Sequence, residues 1–300
     1  MPTMRDEIRT IQTMMEEAQY VTDAPVATSV YLATTLRKPL LIEGHAGVGK
    51  TEIAKVMARM LDTALIRLQC YEGLDAAAAL YEWNYQKQLL HIKLAERGHG
   101  DVKAEEREIF SEEFLLRRPL LDAISRKDKA PVLLVDEVDR ADEEFEAFML
   151  EIFAEWQVTI PEIGTVKAVH PPHVILTSNR TRELSDALRR RCLYIWIDYP
   201  TYDKEIRIVQ RKVPGIDARL AQEVARFMES LRRVRLAKVP GVAETLDWAQ
   251  ALASLHADHL DETIVMETLG CVLKDADDIK KFRGEVGKAG LAPFLSVSAS

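Results

Sequence analysis

Short, almost wholly apolar runs alternate along this chain with longer segments whose apolar residues recur every three or four positions. The runs are "LLIE" at 40–43, "ALIRLQ" at 64–69, "PVLLVDE" at 131–137, "HVILTSN" at 173–179 and "LYIWID" at 193–198. Between and before them lie helical patterns: 4–19, with Ile8, Ile11, Met14 and Met15 on one stripe; "VATSVYLATTL", ending before Pro39; 50–61; and a segment around 142–155. Strands alternating with helices predict an α/β layered fold with a mainly parallel sheet. Two stretches break the rhythm. "ALYEWNYQKQLLHIKLAERGHGD" reads as an inserted hairpin or an extra helix with a glycine-rich polar end, and "WQVTIPEIGTVKAVHPP" reads as a β-hairpin turning at "PEIG". After Pro200 the strands stop. Residues 203–212, 217–235, 242–257, 261–273 and 276–287 have helical spacing. The shift predicts an α/β domain over 1–200 and a helical domain over 201–300, with the small polar tail "SVSAS" frayed.

Charge and composition narrow the class. A formal net charge of −8 lacks the basic footprint that nucleic-acid binding leaves, so no nucleic-acid partner is expected. Acids run through the first twenty residues, unlike a secretory leader, and no apolar run reaches the about 18 residues of a membrane span. Cys70, Cys192 and Cys271 are an odd, scattered set, which fits reduced thiols in the cytoplasm. The first two flank apolar runs and read as small core residues.

The chemistry is concentrated at the ends of the runs. "GHAGVGKT" has Gly44, Gly49, Lys50 and Thr51 at the spacing of a loop that turns its backbone N–H groups toward phosphate oxygens, with the positive end of the next helix behind them. Lys50 then reaches the β- and γ-phosphates and the Thr51 hydroxyl takes a Mg²⁺ site. In "PVLLVDE" a buried strand ends in two acids, Asp136 and Glu137. A carboxylate at the edge of a core is costly unless paired or metal-bound. Asp136 is expected to hold Mg²⁺ through its water shell, and Glu137 to orient and deprotonate an attacking water. Asn179, closing "HVILTSN", is placed to bond the γ-phosphate or that water. In "LSDALRRRCLYIWI", Arg191 stands just before a strand and is the candidate for an arginine supplied in trans to the transition state, with Arg190 second.

In this order, "GHAGVGKT", "VLLVDEVD", "LTSN" and "ALRRRC", followed by a helical domain, resemble an AAA+ ATPase. The spacing and the "PEIG" hairpin resemble the MoxR branch. "LIRLQCYEGLDAAAALYEWNYQKQLLHI" is similar to its CoxD-like subgroup, associated with maturation of the copper–molybdenum site of carbon monoxide dehydrogenase and related molybdenum hydroxylases. The likeness runs over roughly residues 20–290. It implies a P-loop NTPase (AAA+) parallel sheet flanked by helices, an inserted β-hairpin and a small all-α lid. It also implies ATP with Mg²⁺, a homo-hexameric ring with ATP at subunit junctions, a von Willebrand factor A domain partner and a client metalloenzyme. By motif position, Gly44, His45, Ala46, Gly47, Val48, Gly49, Lys50, Thr51 and Glu52 form the Walker A loop. Asp136 and Glu137 are Walker B, Asn179 is sensor 1 and Arg191 the arginine finger. Thr51 and Asp136 carry Mg²⁺. The segment at about 80–100 and the hairpin at 157–168 would face the pore or a partner. One departure stands out. "VPGVAETLDWAQAL" has Glu244 and Thr245 where many lids carry a sensor 2 arginine. Either Arg233 or Lys238 reaches the phosphates, or the lid senses nucleotide without such a residue.

Other features carry less. His256 and His259 sit at i and i+3 on an expected helix, a spacing that can bind a metal but is commoner on plain surface helices. His170 and His173 read as loop residues. Trp83 and Tyr85 form either a recognition platform or a packed aromatic hairpin, and "RRVR" at 232–235 reads as a solvated helix face. A nucleic-acid-dependent motor or clamp-loader-like ATPase is the alternative, because "RRRC" resembles that pattern. A P-loop kinase for small molecules is a third reading.

Overall fold

A computed structural model describes residues 3–95 and 108–295. Its centre is a five-stranded sheet formed by β1 (Leu40–Gly44), β2 (Leu65–Gln69), β5 (Val132–Asp136), β8 (His173–Ser178) and β9 (Leu193–Ile197), in the order β2-β5-β8-β1-β9. The pairs β1/β8, β5/β8 and β2/β5 are parallel. Every residue of β1 and β5 is buried, as expected of strands covered on both faces. Leu133, Leu134 and Val135 are at most 1% exposed, and each such side chain contributes about 1.5–3 kcal/mol of transfer free energy. The register sets Leu41 and Val135 on either side of Leu176, and Glu43 against Ser178. The polar residues that follow β5 and β8 therefore emerge at the same end of these strands, where open parallel sheets carry their ligands.

The helices before and between these strands are α1 (Met4–Glu17), α2 (Ala24–Leu36), α3 (Lys50–Met60), α4 (Ala76–Leu80), α5 (Tyr85–Ala95), α6 (Pro119–Ser125), α7 (Glu143–Glu155) and α8 (Asp186–Arg191). Asp142 caps α7 by accepting from Phe145 N–H, and Ser185 caps α8 through Leu188 N–H. The interrupted stretch is both a strand pair and a helix. β3 (Tyr81–Trp83) pairs antiparallel with β4 (Leu115–Arg117), and α5 rises from that stem. Trp83 is buried against Phe110 with ring centroids 5.3 Å apart, whereas Tyr85 is exposed, so the two aromatics do not act as one surface. The glycine-rich end of the stretch and the tail "SVSAS" lie outside the described residues. The "PEIG" turn joins β6 (Gln157–Ile160) to β7 (Gly164–Lys167) as a hairpin. His173 begins β8 and is not a loop residue; burial first, then Arg37, pushes its pKa down. Cys70 is a core residue and Cys192 packs, partly buried, against the core; burial pushes both thiols up to about 12.

The helices after the sheet are α9 (Tyr202–Lys212), α10 (Ala218–Arg233), α11 (Val242–Ser254), α12 (Glu262–Val272), α13 (Ala276–Ala289) and α14 (Ala292–Leu295). α10 buries Leu220, Val224, Phe227, Met228 and Leu231 at helical spacing. Phe227 packs on Trp248, Phe282 and Phe294, and Trp248 Nε1–H donates to Thr268 Oγ1 at 2.7 Å. α11 stops at Ser254, and His256 adopts a left-handed φ of 55°, so His256 and His259 do not share a helix. No cluster of three His, Cys, Asp or Glu side chains suited to a metal occurs among the described residues. Within "RRVR", Arg233 and Arg235 are exposed, but Arg232 is 8% exposed and ion-paired.

Packing gathers the chain into two units. One comprises Met1–Ile11, Ala24–Glu43 and Ile53–Ile195; the other comprises Gln12–Asp23, Gly44–Glu52 and Trp196–Ser300. β1 and β9 run from the first into the second.

Candidate functional site

The glycine loop belongs to the second unit. β1 ends at Gly44, the chain turns through residues 45–49, and α3 begins at Lys50. The turn needs glycine at 47 and 49, where φ is 73° and 92°, a region side-chain-bearing residues rarely adopt. Lys50 is 7% exposed, and its Nζ donates to Gly44 O at 2.8 Å and His45 O at 2.6 Å. Its ammonium thus rests against carbonyls of the loop itself. A phosphate oxygen is a stronger acceptor for an ammonium than either. The His45 ring stacks on Tyr199 with centroids 4.5 Å apart and meets Trp196 edge-on at 5.4 Å. Val48 is buried; Thr51 and Glu52 lie in the first turn of α3, and Glu52 pairs with Lys212 at 3.3 Å.

The acids belong to the first unit. Asp136 is 3% exposed. Its Oδ1 accepts the Thr177 hydroxyl at 2.5 Å, and its Oδ2 accepts Arg67 Nε at 3.0 Å and Nη2 at 2.5 Å. Thr177 Oγ1 in turn accepts Glu137 N–H at 2.9 Å. One hydroxyl on β8 therefore joins Asp136, the last residue of β5, to Glu137 just after it. Glu137 sits at φ 55°, a left-handed backbone that costs about 1–3 kcal/mol in a non-glycine residue and is found at working sites. The turn directs its carboxylate outward, where Arg140 Nη1 approaches Oε2 at 3.3 Å. Asn179 follows β8 directly. Its N–H donates to Asp139 Oδ2 at 3.2 Å, and Thr181 N–H and hydroxyl both reach that oxygen at 2.8 Å. Asp139, 2% exposed, therefore anchors the Asn179 loop to the turn that follows β5.

The three arginines of α8 diverge. Arg189 turns inward to Glu43, a 1% exposed carboxylate at the end of β1, at 2.9 Å. The same carboxylate accepts the Tyr194 hydroxyl at 3.1 Å and has Arg180 Nε 3.7 Å away. Arg191 donates to Leu150 O at 3.0 Å and lines an open cleft of about 740 Å³ with Phe148, Glu151, Glu155 and Val158. Arg190 is exposed.

The donor set fits a Mg²⁺ ion. Asp136 is a nearly buried carboxylate, a hard oxygen donor of the kind Mg²⁺ takes, and the Arg67 guanidinium that neutralises it would have to give way to a cation at Oδ2. Several participants escape a reading of the sequence. Thr177, Arg67 and Glu43 are single polar residues inside apolar strands, which is a faint signal. Asp139 is the last acid of "VDEVD". Arg189 was overshadowed by its neighbours.

Residues 39–192 match the family model of the AAA domain, dynein-related subfamily. They make up more than half of the 300 residues, and the chain belongs to this family of AAA+ proteins. It is an ATPase. Among its relatives, the gas vesicle ATPase GvpN of Haloferax mediterranei is 25% identical over 265 residues, covering 83% of this chain and 72% of that protein. An uncharacterized protein of Staphylococcus aureus is 24% identical over 216 residues, 70% of this chain and 74% of its own. A mutant RuvB from Thermotoga maritima shares the fold, with a TM-score of 0.50 at 18% identity over 90% of this chain and 76% of that one. Among the described residues, no helix is long and apolar enough to cross a membrane.

Proposed function

We propose that this ATPase is of the MoxR type, close to the CoxD-like subgroup, and assembles as a nucleotide-dependent hexameric ring. The ring remodels a client protein or assists maturation of its metal centre, together with a partner carrying a von Willebrand factor A domain. The observation that carries this reading is α5. Tyr85, Leu89, Leu90 and Leu94 are each about 60% exposed on a helix inserted between β2 and β5. Outward apolar residues at that density suit a protein surface, not a phosphate backbone, and the net charge of −8 agrees.

In the catalytic cycle the amides of residues 45–49 and the Lys50 ammonium bind the β- and γ-phosphates of ATP. Thr51 and Asp136 would hold Mg²⁺, which supplies charge neutralisation at those oxygens when bound. Glu137 orients a water whose oxygen attacks the γ-phosphorus. The bond from that phosphorus to the ADP oxygen breaks, and the water's proton passes to a Glu137 carboxylate oxygen. Asn179, fixed through its backbone by Asp139, orients that water or the γ-phosphate. Arg191 of one subunit, or Arg190 in its place, meets the charge developing on the ATP of the next.

The test is the solution mass of Glu137→Gln by light scattering, with and without Mg-ATP. A shift from 34.0 kDa to about 204 kDa, six chains, is expected. A species that stays monomeric at high protein concentration with bound ATP would remove both the ring and the trans role of Arg191.

A further inference from the structure

The start of α11 is built against the glycine loop in a way that no basic side chain explains. Val242 N–H and Ala243 N–H donate to a single acceptor, Gly47 O, at 2.9 and 3.2 Å. The first amides of a helix have no partner within it, and here two of them are used on the loop backbone. Gly241, the residue before the helix, lies so close that a Cβ on it would stand 2.6 Å from Ala46 O and 2.9 Å from Gly47 Cα. Both obstacles are backbone and cannot swing aside. Glu244, where an arginine is common in such lids, accepts Gly241 N–H at 2.8 Å.

The contact is braced from behind. Arg232 binds both oxygens of the fully buried Glu205 carboxylate at 2.6 and 2.7 Å. Its Nε donates to Pro240 O at 2.9 Å and its Nη2 to Thr245 Oγ1 at 3.1 Å. The same guanidinium lies 4.9 Å from the Tyr199 ring centroid, and Tyr199 stacks on His45. α9, α10 and α11 thus converge on residues 45–47 of the loop.

We propose that Gly241, Val242 and Ala243 are positioning residues for the phosphate loop, and that this lid senses nucleotide through the Gly47–Val48 peptide instead of through a side chain on the phosphates. The reason lies in peptide geometry. No cis peptide bond occurs among the described residues, and in a trans peptide the C=O and N–H point in opposite directions. Pulling Gly47 O toward α11 aims Val48 N–H the other way, away from α11. A phosphate accepting from Val48 N–H polarises the peptide and strengthens the bonds that Gly47 O accepts from α11. Binding and lid docking are then linked, each tightening the other by the same factor. The inference rests on the reading of this loop as the phosphate site.

The decisive variant is Val242→Pro. Val242 is the first helical residue, where proline is well tolerated, and Gly241 already has the extended backbone that a following proline requires. It is compared with Val242→Ala, which trims the same side chain and keeps the N–H. Dissociation of fluorescent ADP is read by stopped flow, and amide exchange of residues 241–246 is read with and without ADP. The proline variant is expected to release ADP about tenfold faster than the alanine variant, and the wild-type amides of Val242 and Ala243 to exchange about tenfold slower once ADP is bound. Gly241→Ala, checked for an unchanged circular dichroism spectrum, is expected to release ADP faster than wild type. Equal release rates for the two Val242 variants, or exchange indifferent to ADP, would overturn the proposal while leaving the phosphate site standing. Absence of any ADP binding by the wild type would overturn both.

Discussion

Thr177 concentrates the logic of the acidic half of the site in one hydroxyl. It donates to Asp136 Oδ1 and accepts from Glu137 N–H, so it fixes the carboxylate of one acid and the backbone of the other. Thr177→Val keeps the shape and leaves two polar groups short of a partner, a loss of about 1–3 kcal/mol. We expect kcat to fall roughly 10- to 100-fold with ATP binding retained, and Thr177→Ser to recover most of it, in steady-state assays beside a thermal melt. A valine variant with wild-type kcat would show that the hydroxyl positions nothing. That Asp136, Glu137 and Asn179 stand where strands end is legible in the sequence, because each closes an apolar run. Thr177 is not, because threonine is at home in strands. Its partners become visible only once β5 and β8 are known to be neighbours, 41 residues apart in the chain. Arg232 misled for the opposite reason. A run of arginines at a helix end is usually solvated, and nothing local reveals Glu205, 27 residues away.

At the scale of elements, the alternation of apolar runs and helical stripes gave the strands and helices but not their order, because periodicity reports burial and not which strand lies beside which. α5 shows a further limit. A period-3.6 reading assumes that apolar means inward. In α5, Leu89, Leu90 and Leu94 face outward while Gln88 is 5% exposed, its Nε2 donating to Ile109 O at 2.7 Å. A helix turned this way has its apolar face reserved for something else. The double variant Leu89→Glu/Leu94→Glu is therefore expected to change folding stability by no more than about 0.5 kcal/mol and to leave basal ATP hydrolysis intact. Binding of a hydrophobic dye should drop by about half or more. A loss of several degrees in melting temperature would mean that the face is packed in the native protein.

For the whole molecule, the two units are each discontinuous in sequence. A shift in composition marks where strands cease near residue 200. It is blind to a nine-residue segment, Gly44–Glu52, whose packing lies with residues from the other end of the chain. The proposed ring makes a prediction at this scale. Arg191→Ala and Glu137→Gln chains, each expected to be inactive alone, should recover turnover when mixed, because some junctions then pair an intact arginine with an intact glutamate. A mixture with no activity at any ratio would count against an arginine acting between subunits. The stem below α5 has a consequence of another kind. Asn84 N–H donates to Phe114 O at 2.8 Å, directly above the β3/β4 pair, so the chain leaves and re-enters the sheet domain at almost the same point. Residues 85–113 are attached like a cartridge. They can be exchanged for a segment of different length and chemistry without stretching β2 or β5, which gives evolution, or a protein engineer, a way to change what this surface meets while the ATPase domain keeps its strands.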